Sequence, residues 1–295
     1  MTEPPRYAHL SEMSPDWIEV AHDHEEAAKL ADALYKLPLE EFRKVPYRPP
    51  PLPTNVPVPG RDLKITEGMV SVRDGYAIAI RLYQPLDPGD NRVLFFNIHG
   101  GGWTVGDPET EEAQNRFIAS KNGAVVVSFD YRRAPEFQFP YALEDSYDVL
   151  RWCIDNAKSL QIDKTRIILG GGSAGANLAA ALARILLDEN IPGVIGQILN
   201  IPVTCHPDHF PRSKYEYTSY EQNSLAPIVN AARMRQYWAN YLPDATKDAR
   251  ANILLASSFV GLPPALIQVA GMDPLRDEGL AFAEALKENG YDEPH

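Results

Sequence analysis

The residues best suited to chemistry are Gly171-Gly172-Ser173-Ala174-Gly175. They follow the apolar run Arg166-Ile167-Ile168-Leu169 and open a small-residue segment, 174–187, that reads as a helix. A serine at so tight a strand-to-helix turn must adopt a strained backbone, which lifts its hydroxyl above the sheet and within reach of a substrate. Gly171 and Gly175, two before and two after, leave strand and helix free to approach closely. The chemistry such a serine can do is nucleophilic attack on an acyl carbonyl. Ala174 adds a backbone N–H at a helix N-terminus, suited to a developing negative charge. Glycine and serine are also common loop residues, so the pattern alone is moderately specific.

A second constellation precedes it. His99-Gly100-Gly101-Gly102-Trp103 comes directly after the apolar run 93–98. Consecutive glycines after a buried strand leave backbone N–H groups uncovered, and an oxyanion needs such donors. A flexible surface loop is the plain alternative, and the position upstream of the serine turn argues against it. Gly100 and Gly101 are the expected donors, with Ala174 the third. His99 reads as a loop anchor rather than a base, because it precedes the serine in the chain. The carboxylate is sought at a strand end. Residues 264–270 read as a buried strand, and Asp273 lies in the turn after it, where an acid can hold the tautomer of an imidazole. Asp277 competes, although its place in the first turn of the next helix suits a dipole-stabilising role.

The elements that must position these groups alternate. Residues 93–98, 124–129, 166–169, 196–201 and 264–270 read as strands, with helical patterns between them over 141–158 and 173–188. That order predicts a mainly parallel sheet covered on both faces. Residues 64–72 and 76–83 alternate around Asp74-Gly75, a hairpin that would add antiparallel edge strands. Outside the pattern lie a helical stretch over 16–37, a proline-rich connector over 46–59, and residues 205–250. In the last of these, Met234, Tyr237, Trp238 and Tyr241 recur at helical spacing. Core packing is the plain reading of that stripe, and a cap over Ser173 the sharper one.

The chain resembles the hormone-sensitive-lipase group of carboxylesterases, the bacterial family IV type. The resemblance is carried by His99 to Trp103, Asp130-Tyr131-Arg132-Arg133-Ala134-Pro135-Glu136, Phe139-Pro140, Gly172 to Ala180, and Asp273-Pro274-Leu275-Arg276-Asp277-Glu278. It runs from about residue 60 to about 290. It implies an α/β-hydrolase fold, a mainly parallel central sheet flanked by helices with a helical cap. It also implies hydrolysis of small to medium acyl esters through an acyl-serine intermediate, with Ser173 and Asp273 catalytic and no metal or organic cofactor. The expected division is a cap segment and connector over 1–60, the hydrolase core over 61–204, a second cap segment over 205–250, and the end of the core over 251–295. Asp130-Tyr131-Arg132 is expected to brace the oxyanion loop.

The resembling family places its catalytic histidine in a loop after one further strand. Here a helix over 278–289, closed by Gly290, leaves Tyr291-Asp292-Glu293-Pro294-His295, with two acids and a proline in so short a tail. His295 follows Asp273 but has no strand to carry it, so the final strand and histidine loop are expected to be missing. The chain then reads either as a shortened esterase or as one that has lost its base. The second case makes a non-catalytic small-molecule binding protein on the same scaffold the alternative function.

Composition agrees with a soluble enzyme. The net charge of −12 over 295 residues disfavours nucleic acid as a partner. The two cysteines make no disulfide framework, and neither a signal peptide nor a membrane span is expected, so the cytoplasm is the default location. The expected partner is a small ester substrate, with a homodimer left open. Cys205-His206-Pro207-Asp208-His209 and His22-Asp23-His24-Glu25-Glu26 hold metal-ligand residue types, yet read better as a polar loop and a solvated helix face.

Overall fold

The computed structural model describes residues 5–19, 29–30, 33–34, 36–45, 52–87 and 89–290. Their strands form one seven-stranded sheet in the order β1-β2-β4-β3-β5-β6-β7. These are β1 Leu63–Ser71, β2 Ala77–Pro85, β3 Arg92–Ile98, β4 Val125–Phe129, β5 Ile162–Gly172, β6 Val194–Asn200 and β7 Ala265–Gln268. The five strands from β3 onward pair in parallel. The predicted hairpin is present as β1 and β2, and β2 joins β4 antiparallel. Among the described residues the five longer helices are α1 Glu112–Asn122, α2 Tyr141–Asp155, α3 Ala174–Asp188, α4 Ala231–Tyr241 and α5 Arg276–Glu288.

The strand sequences explain the arrangement. All five residues of β4 are buried, as are the last five of β3, which suits strands covered on both faces. In α3, Ala176, Ala179, Ala180, Ala181 and Ala183 are all buried, and side chains this small let the helix lie close on the sheet. Two predicted elements change most. The helix expected over 141–158 breaks at Asn156 and resumes as the short Ala157–Leu160. The strand expected over 166–169 starts earlier, because Arg92 and Ile162 extend the pairing of β3 with β5. Gly290 closes α5 as expected, at φ +93 just past its end.

The aromatic stripe is buried, as the packing reading required. Its target is specific. Trp103 lies 4.7 Å from Trp238 and is stacked on Tyr241 at 4.2 Å, and the Tyr237 ring covers Gly102. Helix α4 is therefore seated on the glycine loop. The predicted helix over 16–37 and the start of the connector fall largely outside the described residues. A short helix that follows, Leu39–Lys44, also docks on the loop. Arg43 donates to the carbonyls of Thr104 at 2.8 Å and Ala134 at 2.5 Å.

Candidate active site

Ser173 sits between the end of β5 and the start of α3 with φ +52 and ψ −114, a conformation that side chains rarely adopt. Its N–H donates to the Asn200 carbonyl at 2.8 Å, and its own carbonyl accepts from Asn177 N–H at 3.1 Å. The turn is held from both sides, so the strain cannot relax. A Cβ on Gly175 would overlap the carbonyl oxygens of Ile98 and His99, and one on Gly171 would overlap the Gly175 backbone. The two glycines thus bring the serine turn against the end of β3.

That contact places Ser173 beside the glycine loop. His99 is fully buried, and burial lowers its pKa to about 4, so the ring is neutral. Its Nδ1–H donates to the Gly100 carbonyl at 2.7 Å, and the ring stacks on Tyr131 at 4.2 Å. This is an anchor, as its place in the chain suggested. Tyr131 OH donates to the His99 carbonyl at 3.1 Å, and Arg133 donates to the Gly106 carbonyl. The bracing role expected of Asp130-Tyr131-Arg132 therefore falls to Tyr131, with Arg133 beside it. Arg132 instead makes a bidentate pair with buried Asp145 and a second pair with Asp74.

The loop's own bonding sorts its amides. The Gly101 carbonyl accepts from Thr104 and Val105 N–H, each at 3.0 Å, and the Gly102 carbonyl accepts from Thr104 Oγ1 at 2.9 Å. Gly100 N–H, an expected oxyanion donor, already donates to Glu111 Oε1 at 3.1 Å. The N–H groups of Gly101, Gly102 and Ala174 meet no acceptor among the described residues. The correction has a plain cause: a carboxylate from a different element, without a signature in the glycine motif, occupies the first amide.

Asp273 lies in the turn after β7, half-buried. Its Oδ1 accepts from Leu275 N–H at 2.7 Å, and burial pushes its carboxyl up to about 6. Asn223 holds its carbonyl from the side at 3.0 Å. Asp277 does something else. Its Oδ2 accepts from Thr218 and Ser219 N–H at 2.7 and 2.8 Å, capping the short helix Ser219–Gln222 rather than its own. Among the described residues no imidazole hydrogen-bonds Asp273 or Ser173, and His295 lies outside them.

Glu278 is a buried acid the sequence did not single out. It accepts from Thr204 N–H at 2.8 Å, Cys205 N–H at 3.3 Å and Tyr217 OH at 3.2 Å, tying α5 to the segment after β6. Burial raises its pKa from 4.5 to about 8. The folded chain thus binds a proton there that the unfolded chain has released, and stability falls as the pH rises through that window. Below 6.5 the neutral His99 opposes the trend, since the unfolded chain takes up its proton. From 6.5 to about 8 His99 no longer opposes it, and Glu111, which burial pushes up to about 7, adds a fall of the same sign. Thermal melts should show a falling Tm across that range in the parent chain and a flatter profile in Glu278→Gln. A rising Tm would contradict the assignment.

Among the described residues, no group of three or more His, Cys, Asp or Glu side chains is placed to hold a metal ion. His206 packs edge-on to Trp238 at 5.2 Å, and His209 Nε2 reaches the Ala245 carbonyl at 2.5 Å. The cluster His22-Asp23-His24-Glu25-Glu26 falls outside the described residues. No described helix is long and apolar enough to cross a membrane.

Comparison with known proteins agrees with this fold. A family model, Abhydrolase_3, described as an alpha/beta hydrolase fold, matches residues 95–293. Carboxylesterase NlhH of Mycobacterium tuberculosis is 36% identical over 234 residues, covering 78% of this chain and 71% of its own length. An arylesterase of Saccharolobus solfataricus is 34% identical with the same two coverages. Among solved structures, ester-hydrolase EH1AB1 from the metagenome of Lake Arreo superposes with a TM-score of 0.76 at 31% identity. That match covers 95% of this chain and 87% of that one. The chain belongs to the α/β-hydrolase fold family, in its hormone-sensitive-lipase-like group of carboxylesterases.

Proposed function

We propose that this chain hydrolyses small to medium acyl esters through an acyl-serine intermediate on Ser173. Asp273 serves as the acid of the triad, and the N–H groups of Gly101, Gly102 and Ala174 hold the oxyanion. The observation that carries the reading is the strained Ser173 backbone held beside a loop whose second and third glycine amides are unengaged. Ser173 Oγ attacks the ester carbonyl, and its proton goes to a base. The tetrahedral oxyanion is stabilised by donors already in place, which need no reorganisation. The C–O bond to the alcohol then breaks, the alcohol takes the proton, and water attacks the acyl-enzyme to release the acid. An imidazole between Ser173 and Asp273 is the base this chemistry calls for. His295 is the histidine that follows Asp273 in the sequence.

A binding protein on the same scaffold has no use for the elbow strain, which costs about 1–3 kcal/mol. That cost favours the enzyme over the alternative. We assign the segments 1–60 and 205–250 to a cap, supported by Arg43 and helix α4, both of which grip the glycine loop. Two buried free cysteines suit a reducing compartment such as the cytoplasm.

The test is turnover of p-nitrophenyl acetate and p-nitrophenyl butyrate by the full chain beside Asp273→Asn. Loss of the carboxylate removes the partner that fixes the tautomer of an imidazole, so kcat should drop by about 10³–10⁴-fold with the fold intact. Equal turnover by both proteins would remove Asp273 from the mechanism.

A further inference from the structure

Glu111 is a nearly buried carboxyl that the mechanism above does not use. It stands at the N-cap position of α1, where an acid ordinarily accepts from the first-turn N–H groups of its own helix. Its side chain makes no such bond. It reaches back to Gly100 N–H at 3.1 Å instead. It also lies at the seam of the two catalytic loops. Oε1 is 3.5 Å from where a Cβ on Gly172 would stand and 3.8 Å from the same point on Gly100. Its second oxygen, Oε2, is buried without a hydrogen bond of ordinary geometry, although the Asn97 side chain stands beside the carboxyl. Burying an oxygen without a full hydrogen bond is costly, because the water it gave up is not replaced. A residue kept only to cap a helix would not carry that cost while leaving the cap unmade.

The bonding of the loop shows what Glu111 achieves. The carbonyls of His99, Gly100, Gly101 and Gly102 are all engaged by Tyr131, His99, Thr104 and Val105. With Gly100 N–H also captured, the peptide on each side of Gly100 is fixed in rotation. We infer that Glu111 is a positioning residue for the oxyanion loop: by taking Gly100 N–H at the seam, its carboxyl turns the next two amides toward the oxygen of a bound ester. The inference rests on the esterase reading above. Burial pushes the Glu111 carboxyl up to about 7, so both protonation forms are present near neutrality, and either offers Oε1 as an acceptor. The acceptor, not the charge, is therefore the working part, and glutamine should replace it.

Two variants test this, with two readouts. Glu111→Ala removes the acceptor, and Glu111→Gln keeps it. With p-nitrophenyl acetate, Glu111→Ala should lower kcat by about 10–100-fold with KM within about twofold, because misaimed donors fail chiefly in the transition state. Glu111→Gln should stay within about threefold of the parent chain. Amide hydrogen exchange supplies the second readout. The peptide covering residues 97–104 should exchange at least about tenfold faster in Glu111→Ala and near the parent rate in Glu111→Gln. Unchanged exchange across α5 in both variants would show that the fold is intact. An equal loss of kcat in both variants, or an unaltered 97–104 peptide in Glu111→Ala, overturns the proposal. If the parent chain itself lacks turnover, the esterase reading fails separately, and the exchange comparison still decides whether Glu111 holds the loop.

Discussion

Ser173→Ala is expected to lower ester turnover by at least about 10⁴-fold, because what survives without a nucleophile is only what the oxyanion donors and binding can supply. The loss should fall on kcat, and the thermal midpoint should barely move, since alanine keeps the same strained backbone. Ser173→Gly separates chemistry from stability. At φ +52 and ψ −114, glycine relieves a conformation that serine holds under strain. It should abolish turnover equally and stabilise the fold by about 1 kcal/mol, the lower end of what such strain stores. A destabilised Ser173→Gly would mean that the elbow is not strained, and a Ser173→Ala protein with parent activity would place the nucleophile elsewhere.

Gly175→Ala should have the largest effect on stability. Its new methyl would meet backbone oxygens of Ile98 and His99, which cannot rotate away as a side chain could. Relief requires β3 to part from the serine turn. Overpacking in a core costs about 1–3 kcal/mol even when side chains can adjust, so about 3 kcal/mol or more is expected here. Against a total stability of about 5–15 kcal/mol, that loss should appear as a sharply lower urea midpoint and poor soluble yield. Gly68→Ala is the matched control. Its Cβ would meet only Ile80 side-chain carbons at 3.5 and 3.7 Å, ordinary packing distances. It should shift stability by less than about 1 kcal/mol, with lower unfolded-chain entropy offsetting any crowding. Similar midpoints for the two variants would refute the claim that Gly175 sets the approach of the two loops.

Much of this site could be read from the chain, and the reason is locality. The elbow needs five consecutive residues, and the glycine loop likewise follows one buried strand. Asp273 sits at a strand end that the apolar run 264–270 already marked. Even the aromatic stripe of α4 follows from helical spacing. Contacts between distant elements were beyond such reading. That Gly100 N–H is engaged depends on Glu111, from the start of a helix. That Asp277 caps a different helix depends on Thr218 and Ser219, 59 and 58 residues away. Arg43 reaches Thr104 across 61 residues. Single side chains of these types carry no pattern, because a carboxylate or guanidinium chooses its partner only once the fold has formed. The expected division into core and cap leaned on resemblance for the same reason.

The most direct measurement is to trap the acyl-enzyme. The full chain is mixed with p-nitrophenyl acetate, quenched in acid within the first turnovers, digested, and analysed by mass spectrometry. The account predicts one acetyl group per chain, carried on Ser173 and absent from Ser173→Ala. Turnover with Ser173 unmodified, or an acetyl group lodged on a different side chain, would contradict it.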